Sequence, residues 1–328
     1  MRKNEKASAL VAALGLIFMG GMLTASVLAL SRIGTFNVSA HLDRQRSMYV
    51  MEGAANRIQW LLAADRYLYD DVTLGELDYS EYDHDRYVAD GRPHVIDYYG
   101  NEVVFVITDT SSGFPLSKAH YARTLSRLTT GFEEDTAWTD SLTEYRDKLD
   151  DYTDSDTDVR TDGMEEGEYE ELNLYNLPRN AALQFREELL WIPDTRKLFP
   201  VDRNGRLSRI MLIPPENTVT LPEKPSLLTA DALLLRTYCN LDEDEANEVL
   251  DCLRRVKYEG ELLSDILDPL ISARLSGLAV KESGFYTVEM RLSEETKKPS
   301  SKLIFSFEGF GVGGPSDEIV RYLDWMMF

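Results

Sequence analysis

The sequence predicts an α+β protein: a long N-terminal membrane helix, strands near both ends of the remaining chain, and a large helical block inserted between them. Three observations carry this. Ala7 to Ser31 is 25 residues without a charge. His94–Thr108, Phe285–Leu292 and Lys302–Phe307 hold runs of β-branched and aromatic residues, which read as strands. Between them, apolar residues recur at three- and four-residue steps, the helical period.

The N-terminus sets the topology. About 20 apolar residues at 1.5 Å rise cross a bilayer core of roughly 30 Å, so Ala7–Ser31 is long enough to span. A secretory signal peptide has an apolar run of only about 7–15 residues, which favours an anchor. Arg2, Lys3 and Lys6 precede the run and keep the N-terminus in the cytoplasm by the positive-inside rule. Nearly everything after Arg32 is then outside the cytoplasm. Met48, Met51, Ala55, Ile58 and Leu62 continue the helical period, and no Pro lies before Pro93. The span therefore extends into a stalk-like helix, with Gly34 its weakest point.

Tyr79–Arg92, rich in Tyr, Asp and His, reads as a loop. His94–Thr108 surrounds a Tyr-Gly-Asn turn, a hairpin signal, and Asp109-Thr-Ser-Ser-Gly113 ends the second strand. Lys118–Leu149 is helical with a break near Thr130-Gly131, and Ser226–Val256 is helical with a break at Asn240. The pairs look alike: Leu125-x-x-Leu128…Gly131-Phe-Glu-Glu-Asp-Thr-Ala137 against Leu235…Asn240-Leu-Asp-Glu-Asp-Glu-Ala246. In each, acids open the second helix and suit its macrodipole. Arg179–Trp191 reads as a short amphipathic helix, Pro214–Pro225 as a connector and Ser264–Ser272 as one more short helix. Strands before and after a helical block imply an insertion built from two helical hairpins.

Charge is concentrated. Of a net −22, residues 133–171 carry −14, with 17 acids and 3 basic residues. The excess argues against nucleic acid and anionic lipid surfaces as partners. A solvated loop is the commoner fate of such a run. Here Trp138, Tyr145, Tyr152 and Tyr169 flank it, which favours an ordered loop. Calcium takes 6–8 oxygen ligands at about 2.3–2.6 Å, mostly carboxylates and carbonyls. Asp154, Asp156 and Asp158 stand at two-residue spacing, Gly163 permits a sharp return, and Glu165 or Glu166 can close the sphere. Asp151 and Asp162 complete the candidate metal set. Counted from Asp154, Glu165 occupies the twelfth place of an EF-hand loop, but Val159 stands at the sixth, where that loop needs Gly. The expected cofactor is calcium, acting on folding rather than in chemistry.

Enzymatic readings find little support. His41, His84, His94 and His120 are scattered, and none lies in a metal-ligand or hydrolase motif. Gly309-Phe-Gly-Val-Gly-Gly314 lacks the Lys of a phosphate loop and reads as a turn. Cys239 and Cys252 can bridge neighbouring helices or remain two buried thiols.

Together these segments resemble the K-type minor pseudopilin of the bacterial type II secretion system (general secretion pathway protein K). Lys6-Ala-Ser-Ala-Leu-Val11 and the apolar run look like its prepilin signal. Met51-Glu-Gly-Ala-Ala-Asn-Arg57 and Ile107-Thr-Asp-Thr-Ser-Ser-Gly113 look like its helix and strand-ending motifs. Asp151-Tyr-Thr-Asp154-Ser-Asp156…Gly163-Met-Glu165-Glu166-x-x-Tyr169 is similar to its acid loop. Asn180 with Phe185…Ile192, and Val280-x-x-Ser283-x-x-Tyr286-x-Val288, resemble its later segments. The departures are Ala7 where the family has Gly before the cut, Ser117 near its missing asparagines, and Asp151-Tyr for Asp-Trp.

The resemblance implies a non-enzymatic subunit that caps a periplasmic pseudopilus, with a pilin-like α/β body and a helical insertion. Its partners would be I- and J-type minor pseudopilins, prepilin peptidase, the inner-membrane secretion platform and secreted substrate. It would be single-pass in the bacterial inner membrane with its bulk periplasmic. The implied division is leader 1–7, transmembrane helix 8–31, helix continuation and first strands of the body 32–117, helical insertion 118–275 with the acid loop 150–171, and closing strands with a C-terminal tail 276–328. Cleavage would fall between Ala7 and Ser8. Major pilins carry Glu at the fifth mature position; here that position would be Ala12, which suits a tip subunit but taken on its own reads as an ordinary membrane residue. Two other classes share parts of this pattern: a type IV pilus or competence minor pilin, and a generic single-pass binding protein.

Overall fold

In the computed structural model one helix, α1 (Arg2–Tyr69), runs unbroken for 68 residues, about 100 Å at 1.5 Å per residue. Residues 2–69, 86–132, 134–214, 219, 221–293, 302–309 and 321–328 are described; side chains are described from Leu10 onward, Ala12 excepted. Gly34 does not interrupt the helix. Between Leu10 and Phe36 the large apolar side chains are each at least 58% exposed. By length and composition this part can cross a membrane. Further along, Met51, Ala54, Ala55, Ile58 and Leu62 are buried, so the same helix changes surroundings along its length.

What buries them is an antiparallel sheet of five strands in the order β1 (Asp90–Tyr98), β2 (Asn101–Asp109), β3 (Phe285–Leu292), β4 (Lys302–Glu308) and β5 (Arg321–Met327). The molecule is therefore α+β. Val103, Phe105 and Ile107 of β2, Val288 and Met290 of β3, and Leu303, Phe305 and Phe307 of β4 form one core with the α1 stripe. β1 begins at Asp90, inside the Tyr79–Arg92 stretch expected as a loop; residues 79–85 of that stretch lie outside the described residues. β5 was not anticipated.

The chain from 110 to 284 leaves β2 and returns to β3, and it carries the remaining helices. These are α2 (Tyr121–Gly131), α3 (Thr136–Thr153), α4 (Glu166–Glu171), a 3-10 turn (Arg186–Trp191), α5 (Thr195–Leu198), α6 (Ala232–Cys239), α7 (Glu243–Glu259), α8 (Leu263–Ile266) and α9 (Pro269–Arg274). They share a second core that includes Leu125, Tyr145, Phe199, Leu235 and Val249. Asp135 caps α3 by accepting the Trp138 N–H at 3.0 Å. Asp242 caps α7 by accepting the Glu245 N–H at 2.8 Å, and the Glu245 carboxylate accepts the Asp242 N–H at 2.9 Å. Both pairs are thus a helix, a short turn and an acid-capped helix.

Two short helices differ from expectation. Arg179–Trp191 is helical only from Arg186, because Asn180 is left-handed (φ 52°) and Phe185 is extended. Ser264–Ser272 is split into α8 and α9. Pro269 disfavours helical backbone at the residue before it, and Asp268 is extended there, capping the Leu270 N–H at 2.7 Å.

The exit and return of the insertion are tied together. Asp109, at the end of β2, accepts N–H and Oγ hydrogen bonds from both Ser111 and Ser283, at 2.6–2.8 Å. A second tie runs from α1: Arg66 donates to both carboxylate oxygens of Glu282 and to the Tyr87 carbonyl. Cys239 and Cys252 are buried free thiols.

Candidate functional site

The acid tract is folded. Tyr145, Tyr152 and Tyr169 around it are fully buried, and Trp138 is half-buried. α3 ends at Thr153 with Asp154 as its C-cap, and α4 begins at Glu166 with Glu165 as its N-cap. The connecting loop is therefore residues 154–165, an EF-hand's length, though Val159 still occupies the place of its glycine.

Ligand oxygens of Asp154, Asp156 and Glu165 lie within 4.8 Å of one another. Asp151, in the last turn of α3, has a fully buried carboxylate that borders the same group. Its Oδ2 accepts the Arg160 N–H at 3.1 Å, and its Oδ1 lies 3.1 Å from Arg160 Nε. Gly163 is required by this approach: a Cβ there would stand 1.8 Å from Asp151 Oδ2. Asp158, Asp162 and Glu166 are exposed and outside that group of three. Asp158 gives its N–H to Asp156 Oδ1 at 3.0 Å, Asp162 gives its own to Asp147 Oδ2 at 3.3 Å, and Glu166 sits in the first turn of α4.

The sequence reading missed Arg160 and gave Asn180 no role in the site. Arg160 reaches Asp150, Asp151 and Asp154 at 3.7, 3.1 and 3.3 Å. Its signal was available, as the sole basic residue between Lys148 and Glu171. Asn180 closes the loop from outside: its N–H goes to the Tyr152 carbonyl at 3.1 Å, and its Nδ2 to the Asp156 carbonyl at 3.3 Å. No local pattern marks that contact across 24 residues.

The electrostatics are those of a site short of positive charge. Burial first, then Asp151, Asp154 and Asp156, push Glu165 up to about 7. Burial likewise raises Asp151, against the opposing Arg160 N–H. Asp154 Oδ1, Glu165 Oε1 and Asn180 Oδ1 are buried acceptors without a hydrogen-bond donor, and Asp151 Oδ1 has only its ion-pair contact with Arg160. Each such acceptor costs about 1–3 kcal/mol, and more when charged. Arg160 brings one positive charge to four carboxylates. The donor set, hard oxygens only, fits a divalent hard cation such as calcium.

The described histidines do not assemble into a site. His41 is exposed on α1, His94 stacks on Phe105 in the sheet, and His120 precedes α2. His84, like residues 310–314 of the glycine-rich turn, lies outside the described residues.

No protein-family profile matches this sequence, and no curated protein matches it. Among solved structures, it matches a chain in the crystal structure of the GspK-GspI-GspJ complex from the enterotoxigenic Escherichia coli Type 2 Secretion System. The match has a TM-score of 0.55 and 12% identity, and covers 89% of this chain and 99% of that one. At that identity what is shared is the fold, over nearly the whole of that chain of the secretion complex.

Proposed function

We propose that this chain is a non-enzymatic minor pseudopilin of the K type, working in type II protein secretion. The observation that carries the reading is the fold match over 99% of a chain of the GspK-GspI-GspJ complex. The exposed apolar stretch Leu10–Phe36 of α1 supports it as a single-pass anchor. In this reading prepilin peptidase cuts between Ala7 and Ser8, the N-terminus faces the cytoplasm, and the body stands in the periplasm. There it caps the pseudopilus with I- and J-type partners, above the inner-membrane platform and within reach of secreted substrate. Residues 118–275 form its helical insertion.

Calcium belongs to the same proposal as a structural ion. Bound among the acids, it would supply the positive charge that lets them stay ionised together. Asp151, Asp154, Asp156 and Glu165 would hold it, with Asn180 Oδ1 beside them. Gly163 keeps the Asp151 carboxylate in place, and Arg160 screens Asp150 and Asp154 from the outer side.

Two measurements test this. Full-length protein expressed with I- and J-type subunits should co-purify with both, and mass spectrometry should find a methylated N-terminal Ser8. An intact Met1 and no co-purification would point to a generic anchored binding protein. Ser8 without co-purification would point to another pilin class. Separately, chelated protein titrated with Ca²⁺ should gain melting temperature; no gain removes the ion from the proposal while leaving the rest standing.

A further inference from the structure

One cavity reverses the charge of its surroundings. Beside α2, where residues 223–224 and 274–277 come together, a cavity of about 360 Å³ is walled by Arg123, Arg127, Lys224 and Arg274 against a single carboxylate, Glu223. This is a net +3 wall on a chain of net −22.

Only part of that charge is answered. Arg123 pairs with Glu223 at 3.0 Å and Arg274 with Glu245 at 2.7 Å. Arg127 and Lys224 have no carboxylate partner among the described residues. Arg127 lies over the Tyr238 ring, 4.7 Å from its centroid, and Lys224 Nζ donates only to the Ser276 carbonyl at 3.0 Å. Arg123 and Arg127 are four residues apart on α2, on one face, where like charges destabilise a helix. The Tyr238 and Thr124 hydroxyls, 3.2 Å apart, add polar groups to the wall.

The chemistry suits an oxyanion, since a guanidinium presents a planar fork to a carboxylate. The source follows from the field. Salt screens the chain's net charge beyond a Debye length of about 8 Å, so the local wall decides what a small group meets at the cavity, whereas a polyanion such as nucleic acid or an anionic membrane spans more than that distance and meets the acid excess of the rest of the surface. A single carboxylate delivered on a docked protein surface meets only the local wall. The volume is at the small end of ligand pockets, which fits a side chain or a chain terminus. We propose that this cavity is a carboxylate-binding site that receives an Asp or Glu side chain, or a C-terminal carboxylate, of a protein partner. The site uses neither the calcium loop nor the membrane helix, so it stands apart from the function proposed above.

The test is fluorescence anisotropy with the full chain in detergent and a labelled tetrapeptide ending in Glu-Glu. The wild type should bind it, succinate should displace it, and an amidated Gln-Gln peptide should not bind. R127Q and K224Q should each weaken binding by about tenfold, while R254Q, on the exposed Asp251-paired face of α7, should bind as wild type. Melting temperatures are read in parallel. Should R127Q lose stability with its ring contact, K224Q decides. Wild-type affinity in K224Q, no peptide binding, or displacement by inorganic phosphate at lower concentration than succinate would each overturn the assignment.

Discussion

Gly163 and Glu165 are the residues at which the acid loop is most constrained, for different reasons. Gly163 has no room: Gly163→Ala would drive a methyl into the Asp151 carboxylate. It should lower both the melting temperature and the calcium response, read by differential scanning calorimetry with and without chelator. Glu165 is buried with the wrong charge around it. It titrates near 4.5 when unperturbed and at about 7 in the calcium-free fold. Between those values the native chain keeps a proton that the unfolded chain has released. Calcium-free stability should therefore fall as pH rises from about 4.5 to about 7, by roughly 3 kcal/mol at most. A bound cation needs the ionised carboxylate, so the calcium-induced gain should grow over the same interval. In chelator at pH 7.5, Glu165→Gln should melt above wild type yet gain less from added calcium. A calcium gain equal to wild type would exclude Glu165 as a ligand.

Elements here are set by caps and breakers as much as by periodicity. Asp135 and Asp242 each satisfy an N–H at the start of a hairpin's second helix, so Asp242→Ala should cost about 1 kcal/mol in chemical denaturation. Pro269 divides what periodicity alone makes one helix. The strands at Phe285–Leu292 and Lys302–Glu308 were legible because both carry long β-branched and aromatic runs. β5 was not, since Arg321-Tyr-Leu-Asp-Trp-Met-Met327, though as long as β4, holds no β-branched residue and is nowhere fully buried, and it exists by pairing with β4. α1 shows a related limit. Its period marks Met51, Ala55, Ile58 and Leu62 as one stripe, but nothing local says that a sheet covers it. Ile58→Ala should cost about 2–5 kcal/mol, while leaving the hairpin core intact by hydrogen exchange.

At the scale of the molecule, the two large cores are joined by polar ties as well as by the chain. Arg66 links α1 to Glu282 at the return of the insertion, where Glu282 is buried and raised by that burial against the opposing Arg66 charge. Arg66→Ala leaves a buried carboxylate without its cation and should cost about 3 kcal/mol or more. Adding Glu282→Gln to that variant should recover much of the loss in thermal melting. If the double variant is no better than Arg66→Ala, the tie is packing rather than charge.

The sequence by itself determined the membrane-length helix, the paired hairpins with acidic caps, the strands on either side, and an acidic loop with calcium spacing. Each of these is written in the order of neighbouring residues: a run without charge, a period, a capping acid, a spacing of two. Only the tertiary structure decided which acids meet. Asp154, Asp156 and Glu165 converge because α4 turns back on α3 around Gly163, while Asp158, Asp162 and Glu166 face water. Asn180 arrives from outside the loop, and Lys224 lines one cavity with Arg127 across nearly a hundred residues. Such contacts are fixed by how cores pack, and packing distance is not a function of separation along the chain.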